Sequence, residues 1–418
     1  MAFLSIARGL YTKMETSPGA AANPIGIDHT TGVIDATKVS QTKVRVRELD
    51  FTIDPQVDDE NSKYLTGDFT GDESIVGKIP GSISYSMKFA PGQFEKDTTN
   101  DTSSVHKLNY RDFFKNACLN EIVITDKTVT EAEYSYPQSY LFYPSTAVAS
   151  ETMSQTVVDK DAKGVGIGYD LNGTMSNFTL TADGVGAPFM MKFEGAGGVN
   201  NVYEISAPEM KKLKFDGANV METVASKYLN TIVRITDIAE KKVVEDGGGT
   251  YVPMEFCTNK LELASGNNLA EVECQASASG ILYNTVTGQE PRLTLNPELK
   301  ELSEFDFFKA LTNERFYEIE IIVNDKAAKD NSDFVPLRVF IPRAQMLSAP
   351  VTDDNGFMRN DITFRPLGNK DKEVPMIHYT KDDGTAGGAF DFSGTILDGT
   401  ENEMTYAIII SEEYLKDI

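Results

Sequence analysis

The sequence predicts a mainly β chain made of two tandem units, each flanked by one short helix, and two observations carry that reading. Apolar and polar residues alternate with period two in segment after segment, as in a half-buried strand. The stretch "RDFFKNACLNE" at 111–121 returns as "FDFFKALTNER" at 305–315. A motif written twice with the same elements around it points to a duplicated unit.

In "GSISYSMKFAPG" (81–92) Ile83, Tyr85, Met87 and Phe89 share one face, which predicts the strand before the first helix. Each helix is expected to open behind a capping box, Asn109 with Asp112 and Ser303 with Asp306. Phe113, Phe114, Ala117 and Cys118 then recur at helical spacing in the first copy, and Phe307, Phe308 and Leu311 in the second. The β-branched runs "EIVIT" (121–125) and "FYEIEIIV" (316–323) follow as strands, and "QEPRLTLNPEL" (289–299) supplies the strand ahead of the second helix. Asp183-Gly184 and Asn355-Gly356 mark a hairpin in each half.

Between the halves, "FDGANVMETVASKYLNT" (215–231) reads as a bridging helix through Val220, Val224 and Tyr228. "EKKVVEDGGGT" (240–250) reads as an exposed turn. The expected division is a first domain at 1–212 containing a long loop at 54–81, a connecting helix and linker at 213–253, and a second domain at 254–418 with a C-terminal extension. The loop holds Asp58, Asp59, Glu60, Asp68, Asp72 and Glu73 around a few apolar residues, Tyr64, Leu65, Phe69 and Ile75. A loop of that length is functional or unfolded by itself.

A length of 418 residues suits two domains of roughly 200 residues each. The hydrophobic fraction of 40% builds cores, yet no stretch reaches the ~20 apolar residues of a membrane-spanning helix. The opening "MAFLSIARGLYTKMET" fits no secretory signal, so cytoplasmic synthesis is expected. A net charge of -24 argues against gripping a nucleic-acid backbone, though not against letting one slide past.

No catalytic, metal or cofactor set emerges. His29, His106 and His378 are far apart, and no Gly-x-Ser-x-Gly elbow exists. "GVGIGYDLNG" (164–173) precedes a strand, where a dinucleotide fingerprint must follow one. Asp54, Asp58 and Glu60 lack calcium-loop spacing, and Cys118, Cys257 and Cys274 have no zinc spacing. The sequence is therefore read as that of a protein that is not an enzyme and needs no cofactor.

The order of pieces resembles the tail tube proteins of long-tailed bacteriophages, in the version with two tube domains per chain. "LYTKMETSPGAAANP" (10–24) looks like that family's opening, and "GKIPGSISYSMKFAPG" with "YRDFFKNACLNE" resembles its strand and helix core. "GYDLNGTMSNFTLTADGVGAPFMMKFEGAGG" (168–198) is similar to its long strand pair, and "LELASGNNLAEVE" (261–273) to the start of a second domain. The likeness covers residues 1 to about 368. It implies β-sandwich or barrel domains whose sheets join across subunits, with three chains closing a ring of six domains. Rings then stack into a hollow tube for DNA, assembled in the host cytoplasm and carried in the virion tail. Partners implied are further copies of the chain and other tail proteins at tip and terminator, with no membrane and no specific DNA binding. The resemblance assigns the loop region around Asp58 to Ile75 to contacts between rings, and the helices with Asp112, Phe113, Phe114 and Asp306, Phe307, Phe308 to the flank of each domain. A tail-tip or baseplate ring of the same fold is the alternative, and a β-sandwich adhesin module a more distant one.

Overall fold

A computed structural model describes residues 5–40, 46–58, 75–89, 94–96, 106–108, 110–125, 138–144, 151–213, 227–229, 231–299, 305–323, 337–354, 357–368, 377–380, 386–390 and 405–411. The chain is mainly β. Strand β1 (Ser5–Met14) leads to the short pair β2 (Ile27–Asp28) and β3 (Val33–Ile34), then β4 (Val46–Ile53), β5 (Val57–Asp58), β6 (Ile75–Val76) and β7 (Pro80–Lys88). After β8 (Phe94–Lys96) and β9 (His106–Leu108) come helix α1 (Arg111–Asn116), β10 (Leu119–Thr125), β11 (Gln138–Pro144), β12 (Met153–Asp161), β13 (Gly166–Asp183), β14 (Met190–Ile205) and the turn-length α2 (Ala207–Met210). The second half opens with β15 (Thr231–Asp237), α3 (Ile238–Asp246), β16 (Met254–Phe256), β17 (Thr258–Ala264), β18 (Asn267–Glu273), β19 (Ile281–Gln289) and β20 (Arg292–Pro297). It continues through α4 (Phe307–Thr312), β21 (Phe316–Val323), β22 (Leu337–Ser348), β23 (Val351–Asp354), β24 (Phe357–Asn360), β25 (Ile362–Pro366), β26 (Ile377–Thr380), β27 (Ala386–Phe390) and β28 (Ala407–Ser411).

Two units with the same ladder order stand side by side. In the first, neighbouring strands run β4, β7, β14, β13, β12, β1; in the second, β17, β20, β25, β22, β21, β15, and every pairing is antiparallel. The alternation read in 81–92 is realised in β7: Ile83, Tyr85 and Met87 are buried, with Ser82, Ser84 and Lys88 on the other face. One apolar cluster runs through both units, from Ile83, Phe178 and Phe193 to Leu261, Leu293 and Phe364.

Three expectations need correction. The strand after α1 that occupies the place of β21 is β12, because β12 alone continues the ladder through β13 and β14. Strands β10 and β11 form an added hairpin that pairs outward with β28. Equating the first β-branched run after each helix misses this, since a strand's place is set by partners distant in sequence.

The helix starts also differ. Helix α4 begins one residue after Asp306, whose carboxylate accepts the Lys309 amide at 2.9 Å, so Asp306 itself is the N-cap. Helix α1 begins at Arg111 behind Tyr110, which places Asp112 in its first turn. Both Phe113 and Phe114 are buried, whereas in α4 Phe307 is buried and Phe308 is 63% exposed. The reason is the added hairpin: Phe142 on β11 stacks on Phe114 with ring centroids 4.6 Å apart. In α4 the i, i+3 pair Phe307 and Ala310 is buried, and the half-buried Leu311 packs against the same core.

The run at 240–250 is a helix up to Asp246. Its first turn is capped by the Asp237 carboxylate, which accepts the amides of Ala239 and Glu240 at 3.0 and 3.1 Å. Its face is polar and Val243 is exposed, so hydrophobic periodicity gave no signal. The helix expected at 215–231 lies outside the described residues apart from its last part, where Tyr228 is buried against Phe189. Asn109 and Ser303 also lie outside them.

Candidate assembly interface

The two units meet edge to edge. Strand β13 pairs with β12 as far as Thr174, and from Thr179 to Asp183 it pairs with β17 of the second unit. On the core side of this seam stand the pairs Leu180 with Leu263 and Ala182 with Leu261, all four buried. On the other side stand Thr181 with Glu262 and Asp183 with Lys260. An edge strand that would otherwise expose its backbone groups is thereby paired inside the chain.

Polar side chains lock the seam. The Asn116 amide donates to the Thr174 carbonyl at 2.6 Å, and the Ser176 hydroxyl donates to Asn116 Oδ1 at 2.6 Å. From the second unit, the Asn267 backbone amide donates to Asn177 Oδ1 at 2.6 Å, and its side-chain amide donates to the carbonyls of Ala117 and Ser176 at 2.9 and 3.0 Å. Gly266 precedes it at φ +60, where an added Cβ would run into Glu290. The Gly-Asn pair quoted above from 261–273 thus sits at the seam beside the Asn of the repeated helix.

Hairpin β18–β19 lies over the first unit beyond the seam. Its Val286 and Leu269 pack with Met175 and Cys118. Lys78 forms ion pairs with Glu271, at 3.4 Å, and with Glu273. Where β13 bends, Gly173 has φ +61, and a Cβ there would overlap the Cα of Tyr283. Its amide donates to Glu15 Oε1 at 2.8 Å. Glu15, from the opening Lys-x-Glu-Thr, also accepts from Ser154 Oγ, Thr152 Oγ1 and the Gly19 amide, all within 2.8 Å. A carboxylate with four donors pins the chain's first turn to β12 and β13.

One face of the sheet is polar and continuous across the seam. Directly opposed residues form the row Arg47, Ser86, Lys192, Thr179, Ala264 and Arg292, and beside it Lys88, Met190, Thr181, Glu262, Thr294 and Thr363. Lysines and arginines here stand among Asp50, Asp183, Glu194 and Glu262, so this face is mixed in sign although the chain carries -24.

Several strands carry an edge without a ladder among the described residues, β1, β10 and β16 included, and two more such edges stand where the other unit makes its seam. Strand β4 holds the place in the first unit that β17 holds in the second, yet it pairs only with β7. Its apolar residues Val46, Leu49, Phe51 and Ile53 are half-buried, while Leu261 and Leu263 of β17 are fully buried. Strand β22 pairs with β21 only up to Gln345, and its continuation β23 pairs only with β24. Leu347, Val351 and Met358 are exposed there.

Of the loop singled out for contacts between rings, Asp58 and Ile75 fall in β5 and β6, which pair with each other. Asp59, Glu60, Tyr64, Leu65, Asp68, Phe69, Asp72 and Glu73 lie outside the described residues. The open edges that sequence reading did not name are those of β4 and of β22 with β23. Their signal lies in pairing and not in residue type.

Elsewhere, Asp170 accepts from Thr156 Oγ1 at 2.7 Å and Tyr203 OH at 2.9 Å, with His29 Nε2 3.4 Å away. Burial pushes its pKa up, against the pull of those hydrogen bonds and of His29. A surface recess of about 570 Å³ is lined by Lys13, Asn23, Asp28, Asp35 and Lys38 among others. Among the described residues no group of three His, Cys, Asp or Glu is placed to hold a metal ion. No helix there is long and apolar enough to cross a membrane.

No family model matches the chain, and no curated protein matches it. Among solved structures, a chain of the anti-feeding prophage baseplate, determined by cryo-EM with six-fold symmetry imposed, is similar to it. The two are 11% identical, with a TM-score of 0.27, over 35% of this chain and 93% of that one.

Proposed function

We propose that the protein is a structural, non-catalytic virion component, and that copies of it close into rings that stack as the hollow tail tube through which phage DNA is delivered. The observation that carries this reading is the β13–β17 seam. It joins two units of like ladder order edge to edge within one chain. Heterologous contacts of that kind, repeated between copies, close into a ring when their rotation divides a full turn. With two units per chain, three copies make a ring of six, as the sequence resemblance implies.

The polar face that crosses the seam suits a bore. Its threonines and serines keep it wet, and its interspersed Lys192, Lys260, Arg292, Asp183 and Glu262 leave no large single-sign field. DNA would pass such a wall because neither attraction nor repulsion dominates, a different account from the one the net charge suggests. The acidic excess then belongs on outer surfaces and loops.

Electron microscopy of the concentrated protein in negative stain tests the reading. Hollow filaments of uniform width are expected. Isolated rings that never stack would instead assign the chain to a tail-tip or baseplate ring, and absence of any ring would refute both.

A further inference from the structure

We propose that the seam between copies is formed by β4 of one copy and the β22–β23 edge of the next, in the manner of the β17–β13 seam inside each chain. The inference rests on the ring reading and names its contact. Strand for strand, β4 corresponds to β17 and β22 to β13. The 18-residue β13 runs past the end of β12 and uses its last residues, Thr179 to Asp183, to hold β17. Strands β22 and β23, interrupted only at Ala349 and Pro350, together span an equal length from Leu337 to Asp354 and likewise run past their partner β21. What β13 holds there is β17; β23 pairs with β24 on one side, and its other edge has no partner strand among the described residues.

The surfaces agree with an occupant of that kind. Val46, Leu49, Phe51 and Ile53 of β4 point apolar, half-covered side chains to the core, where a flanking strand would finish their burial as β13 does for Leu261 and Leu263. Leu347, Val351 and Met358 offer exposed apolar area at the other edge, and Leu299, whose amide donates to the Met358 carbonyl, extends it. The antiparallel sense brings the Asp353 and Asp354 end of β23 to the Arg47 end of β4, as it brings Asp183 to Lys260 within the chain. The two edges differ, so a pair of copies keeps one of each free and adds a third copy. The contact cannot saturate as a two-fold dimer.

Light scattering after size exclusion on the full chain decides it. The parent is expected at three times the chain mass, and both Phe51→Glu and the double variant Leu347→Glu with Val351→Glu at the monomer mass. Leu347 and Val351 are exposed, so the double variant should fold and unfold cooperatively as a monomer, at a melting temperature lowered only by the lost assembly, and it serves if Phe51→Glu fails to fold. Mixing the two variants restores one good edge on each and should give dimers that grow no further. A double variant that assembles as the parent does, or a parent that stays monomeric at all concentrations, overturns the proposal. A parent that closes trimers without making filaments leaves the seam standing and refutes the tube.

Discussion

The side-chain amide of Asn267 donates to the backbone carbonyl of Ala117 at 2.9 Å, so the first residue of β18 in the second unit closes the C-terminal end of the helix in the first. Asn267→Ala removes this bond and the one to Ser176, leaving two buried carbonyls without their partner. A loss of about 1–3 kcal/mol is expected. Chemical denaturation measures it, and a loss near zero would mean that the hairpin does not clasp the first unit.

Phe113→Ala should cost about 3–5 kcal/mol, because it empties a packed site between Tyr85 and Phe193. Phe308→Ala should change stability by no more than about 0.5 kcal/mol, since that ring is mostly in solvent. Thermal unfolding of the two variants side by side checks the contrast, and equal effects would contradict the different burial of the two repeated motifs.

The cysteines should react in order of access. Cys257 is exposed, while burial pushes the Cys118 thiol up to about 11, so little thiolate is present at pH 8. Counting thiols with a chromogenic disulfide should show Cys257 modified in the folded protein and Cys118 only after unfolding. Fast labelling of Cys118 in the native state, located by mass spectrometry, would contradict the packing around α1.

Asp170 gives a pH dependence with a definite sign. Its carboxyl pKa is raised in the fold, so the native state favours the protonated form, and that contribution is lost as pH rises through the folded value. Asp170→Asn removes the ionisation while keeping an acceptor for Thr156 and Tyr203. The variant should melt higher than the parent near neutral pH, and the difference should shrink below about pH 4, where an ordinary aspartate is protonated too. A difference that grows toward acid pH would show that the carboxylate is favoured as an anion.

Much of the local structure was legible in the sequence, and the reason is periodicity. Ile83, Tyr85 and Met87 state their strand without help from any other part of the chain, and so do Phe178 and Leu180. The repeated Asp-Phe-Phe-Lys marked both helices. What stayed hidden depends on distant partners: whether Phe114 and Phe308 share a fate is decided by Phe142 on an added hairpin. Helix α3 was invisible because a polar helix held by Asp237 has no apolar stripe to betray it. The interface was hidden for the same reason as the ladder. Nothing in Val46 to Ile53 distinguishes an open edge from a closed one until β13 is seen to choose β17.

Strand β28 lies between β22 and β11, pairing Ile408 and Ile410 with Val339 and Leu337 on one side and with Phe142 and Tyr140 on the other. It comes after every other described strand, and a ribosome releases segments in order. Both neighbours therefore emerge long before the strand that fills the gap between them, and each has a bare backbone edge in the meantime. Completion of this sheet therefore waits on a strand that is synthesised after both of its neighbours, whichever of them folds first.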